Sequence, residues 1–207
     1  MLEMLKDRKI LIQVGVFILL GAAVIVQASG LLSGPYQSQG SVIDPPLPAA
    51  DFDLPSTRGG HFQLSEKEGN VVLLFFGFTH CPDVCPTTLN DYQQIKARLG
   101  EEASQVEFVF LTVDPERDTL AKLEEYLAYF DPQFVGLSAP AEALEPVWEA
   151  YGVYHQKREV GSAGGYLIDH TARIYVINAA GELRLTFPQG MAPEAMAEDI
   201  DHLLQEG

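Results

Sequence analysis

The sequence contains little cysteine and little positive charge. Cys81 and Cys85 are the only cysteines in 207 residues, which excludes a scaffold stapled by several disulfides and a zinc site closed by four thiolates. Internal repeats and low-complexity segments are absent too, which excludes a solenoid or a disordered chain. The 13 Lys and Arg residues face 29 Asp and Glu residues, a formal net charge of −16. Such an acidic chain repels nucleic acid, so we expect no nucleic-acid partner.

Long hydrophobic runs are equally scarce, with one exception at residues 10–30. That segment is long enough to span a bilayer as one helix, and Lys6, Arg8 and Lys9 directly precede it. The positive-inside rule then places residues 1–9 in the cytoplasm. A cleaved signal peptide is the alternative. No cysteine suitable for lipidation follows the run, and an Arg/Ser-rich transit peptide is missing. We therefore expect a single-pass anchor in a bacterial inner membrane, with the rest of the chain in the periplasm.

The remaining chain divides into a linker and one folded domain. Residues 31–49 are rich in Pro, Gly, Ser and Gln, which predicts a flexible linker. Residues 50–207 begin with a small hairpin pattern and then alternate between strand and helix periodicity, ending in a second hairpin and a helix. This order predicts an α/β domain with a mixed central sheet. It is the order of a thioredoxin-like fold, to which the leading hairpin is an addition.

Both cysteines lie where a buried strand meets a helix. The apolar run at residues 71–77 predicts a strand covered on both faces, and Pro86 suits the first turn of the next helix. The positive end of a helix lowers a thiol pKa and favours the thiolate. A structural disulfide between Cys81 and Cys85 would close only a very short loop and would stabilise little. Two chemistries remain open at this point, thiol–disulfide exchange and the binding of a soft metal.

A third ligand near the two cysteines would favour metal binding over thiol–disulfide exchange, because Cu(I) accepts two thiolates and one imidazole. The five candidates are His61, His80, His155, His170 and His202. His80 is adjacent to Cys81, but neighbouring side chains often point apart. His170 directly precedes the last hairpin, and in thioredoxin-like folds that part of the chain faces the cysteine turn. Position therefore favours His170, although a histidine that is only hydrogen-bonded in a strand remains the alternative. We expect the other three to be surface or packing residues.

Three sequence blocks resemble those of the Sco/SenC family of membrane-anchored copper proteins. The blocks are FGFTHCPDVCPT at 76–87, TVDPERDT at 112–119 and DHT at 169–171. The resemblance covers about residues 50–205 and the N-terminal anchor, and it implies a thioredoxin-like fold. It implies that Cys81, Cys85 and His170 bind copper, as Cu(I) or, with a further ligand, as Cu(II). The implied role is assembly of the CuA centre of cytochrome c oxidase subunit II, by delivering copper or by keeping the subunit's cysteines reduced.

Some alternatives and supporting roles stay open. The implied partners are subunit II or its assembly factors and a copper donor protein, which describes a chaperone rather than an enzyme. A thiol–disulfide oxidoreductase or a redox sensor would use Cys81 and Cys85 without a required metal. Asp169 is a candidate acceptor for the His170 imidazole, although strand alternation would direct it away. Asp83 and the 114–118 segment are interpreted as turn and helix-capping residues, with Asp118 or Thr119 as the cap of the helix that follows.

Overall fold

A computed structural model describes residues 36–160 and 165–206 of the protein. These residues form ten strands and four α-helices, together with 3₁₀ turns at Leu64–Lys67 and Gly100–Gln105. The strands are β1 (Ser41–Pro48), β2 (Asp53–Pro55), β3 (His61–Gln63), β4 (Val71–Gly77), β5 (Val106–Thr112), β6 (Val135–Leu137), β7 (His155–Glu159), β8 (Tyr166–His170), β9 (Arg173–Ile177) and β10 (Glu182–Pro188). The helices are α1 (Val84–Leu99), α2 (Leu120–Ala128), α3 (Ala141–Ala150) and α4 (Pro193–Glu206).

The central sheet is mixed, as the sequence predicts. Its strand order is β1-β10-β9-β4-β5-β6, with β4, β5 and β6 parallel and the other neighbours antiparallel. All seven residues of β4 are buried, which fits a continuous apolar run between two neighbouring strands. The predicted inner face of α1 is buried as well, at Leu89, Tyr92, Ile95 and Leu99. These elements place the cysteine loop at the end of a fully buried strand.

Two small hairpins lie outside the central sheet. The leading one, β2 with β3, confirms the predicted hairpin addition. The second pairs β7 with β8 in antiparallel register, from His155 opposite His170 to Glu159 opposite Tyr166. Every residue of β7 is exposed, so apolar periodicity provides no signal for this strand. This hairpin carries His170 at the end of β8 and continues directly into the central strand β9.

The predicted linker needs a correction at its C-terminal end. Ser41–Pro48 is not flexible linker but strand β1, paired with β10 at the edge of the central sheet. The backbone N–H groups of Gln39 and Gly40 donate to the Asp199 carboxylate on α4, at 2.9 and 2.7 Å. Three prolines made this stretch resemble a linker. An edge strand tolerates them, because only one of its sides needs backbone hydrogen bonds.

This correction also moves the start of the domain. The compact unit begins at Ser38 rather than at residue 50. The predicted anchor at residues 10–30 lies outside the described part of the chain. Among the residues that are described, no helix combines the length and the hydropathy needed to cross a membrane.

Candidate metal centre

The cysteine loop is held between the end of β4 and the start of α1. Gly77 ends the strand against the rings of Phe75 and Phe110, where a Cβ atom would lie only 2.8 Å from either ring. Cys81 is partly exposed in the loop, whereas Cys85 is fully buried in the first turn of α1. The backbone N–H of Cys85 donates to the Cys81 sulfur at 3.4 Å. N–H groups in the first turn of a helix have no acceptor within the helix. The Cys85 N–H group is therefore available to stabilise negative charge on the Cys81 sulfur.

His170 reaches this loop from the end of β8. Its Nε2 atom lies 3.7 Å from the Cys85 sulfur, and its Nδ1 atom lies 3.0 Å from the backbone carbonyl oxygen of Thr171. Because a carbonyl oxygen only accepts hydrogen bonds, Nδ1 carries the proton in the neutral ring and Nε2 directs its lone pair at the sulfur atoms. The rings of Phe75 and Phe78 meet the imidazole edge-on, with centroids at 6.1 and 5.6 Å.

The two thiols have opposite electrostatic surroundings. The hydrogen bond from the Cys85 thiol is the largest influence that lowers the pKa of Cys81, to about 4. Burial raises the pKa of the Cys85 thiol well above its ordinary value, and the neighbouring Cys81 adds to this. At neutral pH the site therefore holds one thiolate and one thiol that donates to it.

The other four histidines lie outside this group. The ring of His80 is hydrogen-bonded to the Thr79 hydroxyl at 3.0 Å. His61 and His202 pair with carboxylates at 2.9 and 3.1 Å, as surface residues do. His155 packs against a tryptophan ring with centroids 4.3 Å apart. The structure thus gathers the three ligand candidates that the family resemblance implies, and it separates them from the rest.

Asp169 does not orient the imidazole. Its carboxylate lies on the exposed side of the hairpin, 3.3 Å from the Arg158 guanidinium. The acceptor for the His170 ring N–H is the Thr171 carbonyl oxygen. Side chains alternate along a strand, so adjacent residues of β8 face opposite sides. The expectation that strand alternation directs Asp169 away from His170 is therefore confirmed, and the alternative role as acceptor is excluded.

Asp118 is a site residue that the sequence reasoning assigned to helix capping. The cap of α2 is Thr119, whose side chain accepts from the Lys122 N–H. Asp118 is fully buried and accepts hydrogen bonds from the Thr79 N–H and hydroxyl at 3.0 and 2.6 Å, and from the Thr112 hydroxyl at 2.8 Å. It thereby ties the cysteine loop to the end of β5. The contact is possible because parallel strands β4 and β5 end at the same edge of the sheet.

The donor set suits a soft metal ion. The sulfur atoms of Cys81 and Cys85 and a ring nitrogen of His170 all lie within 4.8 Å of one another. Metal bonds to sulfur and nitrogen are about 2.0–2.3 Å long, so ligands of one ion lie up to roughly 4 Å apart and only a small contraction is needed. Two sulfurs and one imidazole match a Cu(I)-type site better than a closed zinc site with four ligands. The fold and the site define an α/β domain of thioredoxin-like topology with a dithiol–imidazole group that could hold a metal ion.

Comparisons with known proteins identify the family. The sequence model of SCO1/SenC matches residues 43–205, and the chain belongs to this family. The SCO2-like protein of Rickettsia conorii is 31% identical over 192 residues, which cover 92% of this chain and 94% of the relative. The structure of Bradyrhizobium japonicum ScoI with copper bound is similar with a TM-score of 0.70 and 36% identity, and the match covers 75% of this chain and 99% of that one.

The thioredoxin-like fold is confirmed by a more distant likeness. A thioredoxin-family thiol:disulfide interchange protein of Chlorobium tepidum has a TM-score of 0.56 at 18% identity. The match covers 78% of this chain and 99% of that protein. At this identity the likeness concerns the fold alone.

Proposed function

We propose that this protein binds copper through Cys81, Cys85 and His170 and assists the assembly of cytochrome c oxidase. The observation that carries the proposal is the convergence of these three side chains from two separate parts of the chain. The B. japonicum relative with the same fold has copper bound, which supports copper as the metal. The family resemblance assigns the assembly role and points to the CuA centre of subunit II.

The three residues of the site would contribute different donor atoms to Cu(I). Cys81 provides a thiolate without losing a proton at neutral pH, because its pKa is lowered to about 4. Cys85 must release its proton when the metal enters, and His170 contributes a neutral nitrogen through Nε2. Two thiolates and a neutral imidazole give the Cu(I) site a net charge of −1. Cu(II) prefers more oxygen or nitrogen ligands, so we expect a further ligand in the oxidised state.

The site opens to the surface on the side of Cys81. A cleft of about 300 Å³ lies between the cysteine loop and the hairpin. Its lining includes Phe78, Pro82, Arg158, Leu167 and Gln189. Since Cys85 is buried and Cys81 is not, an incoming partner meets the Cys81 sulfur first. Copper donated by another protein and copper passed to subunit II would use this same opening.

A copper titration tests the binding site. We expect one Cu(I) per chain, and substitution of Cys81, Cys85 or His170 by Ala should weaken binding at least about a hundredfold, because each removes a direct ligand. His80→Ala is the matched control, since its ring lies outside the group, and it should bind as the parent does. A His170→Ala variant with the parent's affinity and spectrum would overturn the three-ligand site.

The cellular role needs a test of its own. We propose that residues 10–30 anchor the chain in a bacterial inner membrane, with residues 1–9 cytoplasmic and the folded domain in the periplasm. The apolar run and the three cations before it support this topology. Periplasmic and cytoplasmic reporters fused after residue 206 test it, and activity of the cytoplasmic reporter alone would overturn it.

Oxidase assays distinguish delivery from reduction. We expect a strain that lacks the protein to lose cytochrome c oxidase activity. If the protein delivers copper, added copper should restore activity to the His170→Ala strain. If it keeps the cysteines of subunit II reduced, the His170→Ala strain should retain activity, whereas the Cys81→Ala strain should lose it even with added copper. Full oxidase activity in the deletion strain would contradict the assembly role.

One observation favours a second function, thiol–disulfide exchange or redox sensing. Cys81 is a partly exposed thiolate with a second thiol beside it, which is the arrangement of an attacking and a resolving cysteine. The Cys81 thiolate would attack a substrate disulfide, and Cys85 would then resolve the mixed disulfide. The substrate gains two thiols as Cys81 and Cys85 form a disulfide. Reduction of a model disulfide by His170→Ala at the parent's rate would support this function.

A further inference from the structure

The turn between β5 and α2 contacts both halves of the metal centre. One contact is the Asp118 carboxylate, which holds the cysteine loop through Thr79. The other reaches Tyr166, the first residue of β8, four residues before His170. The Tyr166 hydroxyl donates to the fully buried Asp114 carboxylate at 2.8 Å. A single turn thus bonds to the chain on both sides of the site.

Arg117 completes the contact with β8. Its Nη1 group donates to the Tyr166 carbonyl oxygen at 2.9 Å, and its guanidinium lies 3.7 Å from the centre of the Tyr166 ring. Its Nε group pairs with the Asp114 carboxylate. The same guanidinium lies 5.9 Å from the ring of Phe78, which in turn packs against His170. Asp114, Arg117 and Tyr166 therefore form one connected group, here named the β8 clamp.

We propose that the β8 clamp positions His170 for metal binding, an inference that rests on the proposed copper-binding function. The clamp matters because β8 is not a strand of the central sheet and only one of its residues, Ile168, is buried in the core. The only strand paired with β8 in the described chain is β7, whose residues are all exposed. At its other end β8 continues into β9, so the clamp restrains the end of β8 that lies opposite His170. None of the three clamp residues touches the metal ligands through a polar contact; they act through the backbone of β8.

The expected effect follows from the population of the binding-competent state. When a ligand-binding conformation is only partly populated, the apparent dissociation constant rises by the inverse of that fraction. An intact clamp keeps His170 in place before the metal arrives. Loss of one hydrogen bond to a buried carboxylate corresponds to about a tenfold change in such a population. The cysteine loop does not depend on the clamp hydroxyl, so its thiols should stay in place.

Tyr166→Phe is the most selective test variant. It removes the hydroxyl that bonds Asp114 and leaves the ring on which Arg117 stacks. We expect Cu(I) affinity to fall about tenfold in a competition titration. In the His170→Ala background the same substitution should have no further effect, because the clamp acts through that histidine. Tyr154→Phe is the matched control, since its hydroxyl donates to Gln156 on the exposed face, and it should change affinity less than twofold.

A second readout needs no copper. In the metal-free protein, proton NMR should show cross-relaxation between the imidazole of His170 and the ring of Phe78, whose centroids are 5.6 Å apart. Tyr166→Phe should weaken this signal, and Tyr154→Phe should not. An unchanged NMR signal, an unchanged affinity, or an equal loss of affinity in the His170→Ala background would each overturn the positioning role. A parent protein that binds no copper would refute the proposed function instead, and the NMR signal would still decide on the clamp.

Discussion

The two halves of the metal centre are held by very different means. The cysteines follow β4, which is buried along its whole length between β5 and β9. His170 ends β8, which belongs to a peripheral hairpin whose other strand, β7, is fully exposed. Stability is not uniform across a fold, and elements with few buried contacts open most easily. The sulfur pair therefore follows a strand fixed by the core, whereas His170 lies on a peripheral strand of which only Ile168 is buried, and it is held by two aromatic rings and a small number of polar contacts.

The largest contrast should appear in global stability. Phe76 on β4 is completely buried and contacts the rings of Tyr151 and Tyr175, so Phe76→Ala should lower the free energy of unfolding by about 3–5 kcal/mol. Glu159→Ala on β7 is the counterpart in the hairpin and should change it by less than about 0.5 kcal/mol. Urea denaturation measures both. A loss of unfolding free energy below about 1 kcal/mol for Phe76→Ala would contradict the conclusion that the core holds β4 more firmly than the hairpin.

Copper affinity should rise with pH because of the buried thiol. The raised pKa of Cys85 keeps this group protonated below about pH 9, so metal binding releases its proton. Cys81 is already a thiolate in this range and releases none. We therefore expect Cu(I) affinity to increase about tenfold per pH unit, or roughly a hundredfold from pH 7 to 9. Competition titrations between pH 7 and 9 measure this dependence. A rise in Cu(I) affinity of about a hundredfold per pH unit would mean that two protons are released, and hence that both thiols are protonated in the metal-free site.

The two thiols should also differ in chemical reactivity. Iodoacetamide should modify Cys81 and spare the buried Cys85 in the folded protein. The rate should stay nearly constant from pH 8 down to 5 and fall only as the pH passes below about 4, because the lowered pKa keeps the Cys81 thiolate ionised. In Cys85→Ala the largest cause of the lowered pKa is gone, so the fall in rate should occur at higher pH. Mass spectrometry gives the site and the rate. A parent profile that falls tenfold per unit from pH 8 would contradict the assignment.

The smallest effect is expected on the exposed side of the hairpin. Asp169→Ala removes a solvent-exposed ion pair with Arg158, which contributes less than about 1 kcal/mol to stability. Since the Thr171 carbonyl holds the imidazole, Cu(I) affinity should change less than about twofold. A tenfold loss of affinity in Asp169→Ala, measured beside the parent, would show that Asp169 does support His170.

Local patterns predicted most of the fold, but they assigned strand β1 to the linker and gave no bounds for strand β7. The apolar run of β4 and the inner face of α1 follow directly from residue spacing, and both are confirmed. The prolines of β1 led to the prediction of a linker. They are compatible with a strand here because β1 lies at the edge of the sheet. β7 was hidden because an exposed strand has no apolar periodicity. In both cases the strand depends on a partner that lies elsewhere in the chain.

The sequence predicted that Cys81, Cys85 and His170 lie together, but it did not predict the hydrogen bonds that hold the surrounding segments in place. The spacing of Cys81 and Cys85 and the family blocks pointed to the ligand set that the structure brings together. The roles of Asp118 and of the β8 clamp were not predicted, because each depends on hydrogen bonds between residues that are 39 or more positions apart. Such contacts leave no periodic signal in the sequence.

By itself the amino-acid sequence determined which donor side chains the protein contains and where the helices and the buried strands form, since both depend on residue type and short-range spacing. Only the tertiary structure decided that His170 meets Cys85 across 85 positions, with the lone pair of Nε2 directed at the sulfur. It also decided that one thiol is ionised and its neighbour is not. The physical reason is that distances, burial and local dielectric arise from the packing of remote segments, which no local pattern specifies.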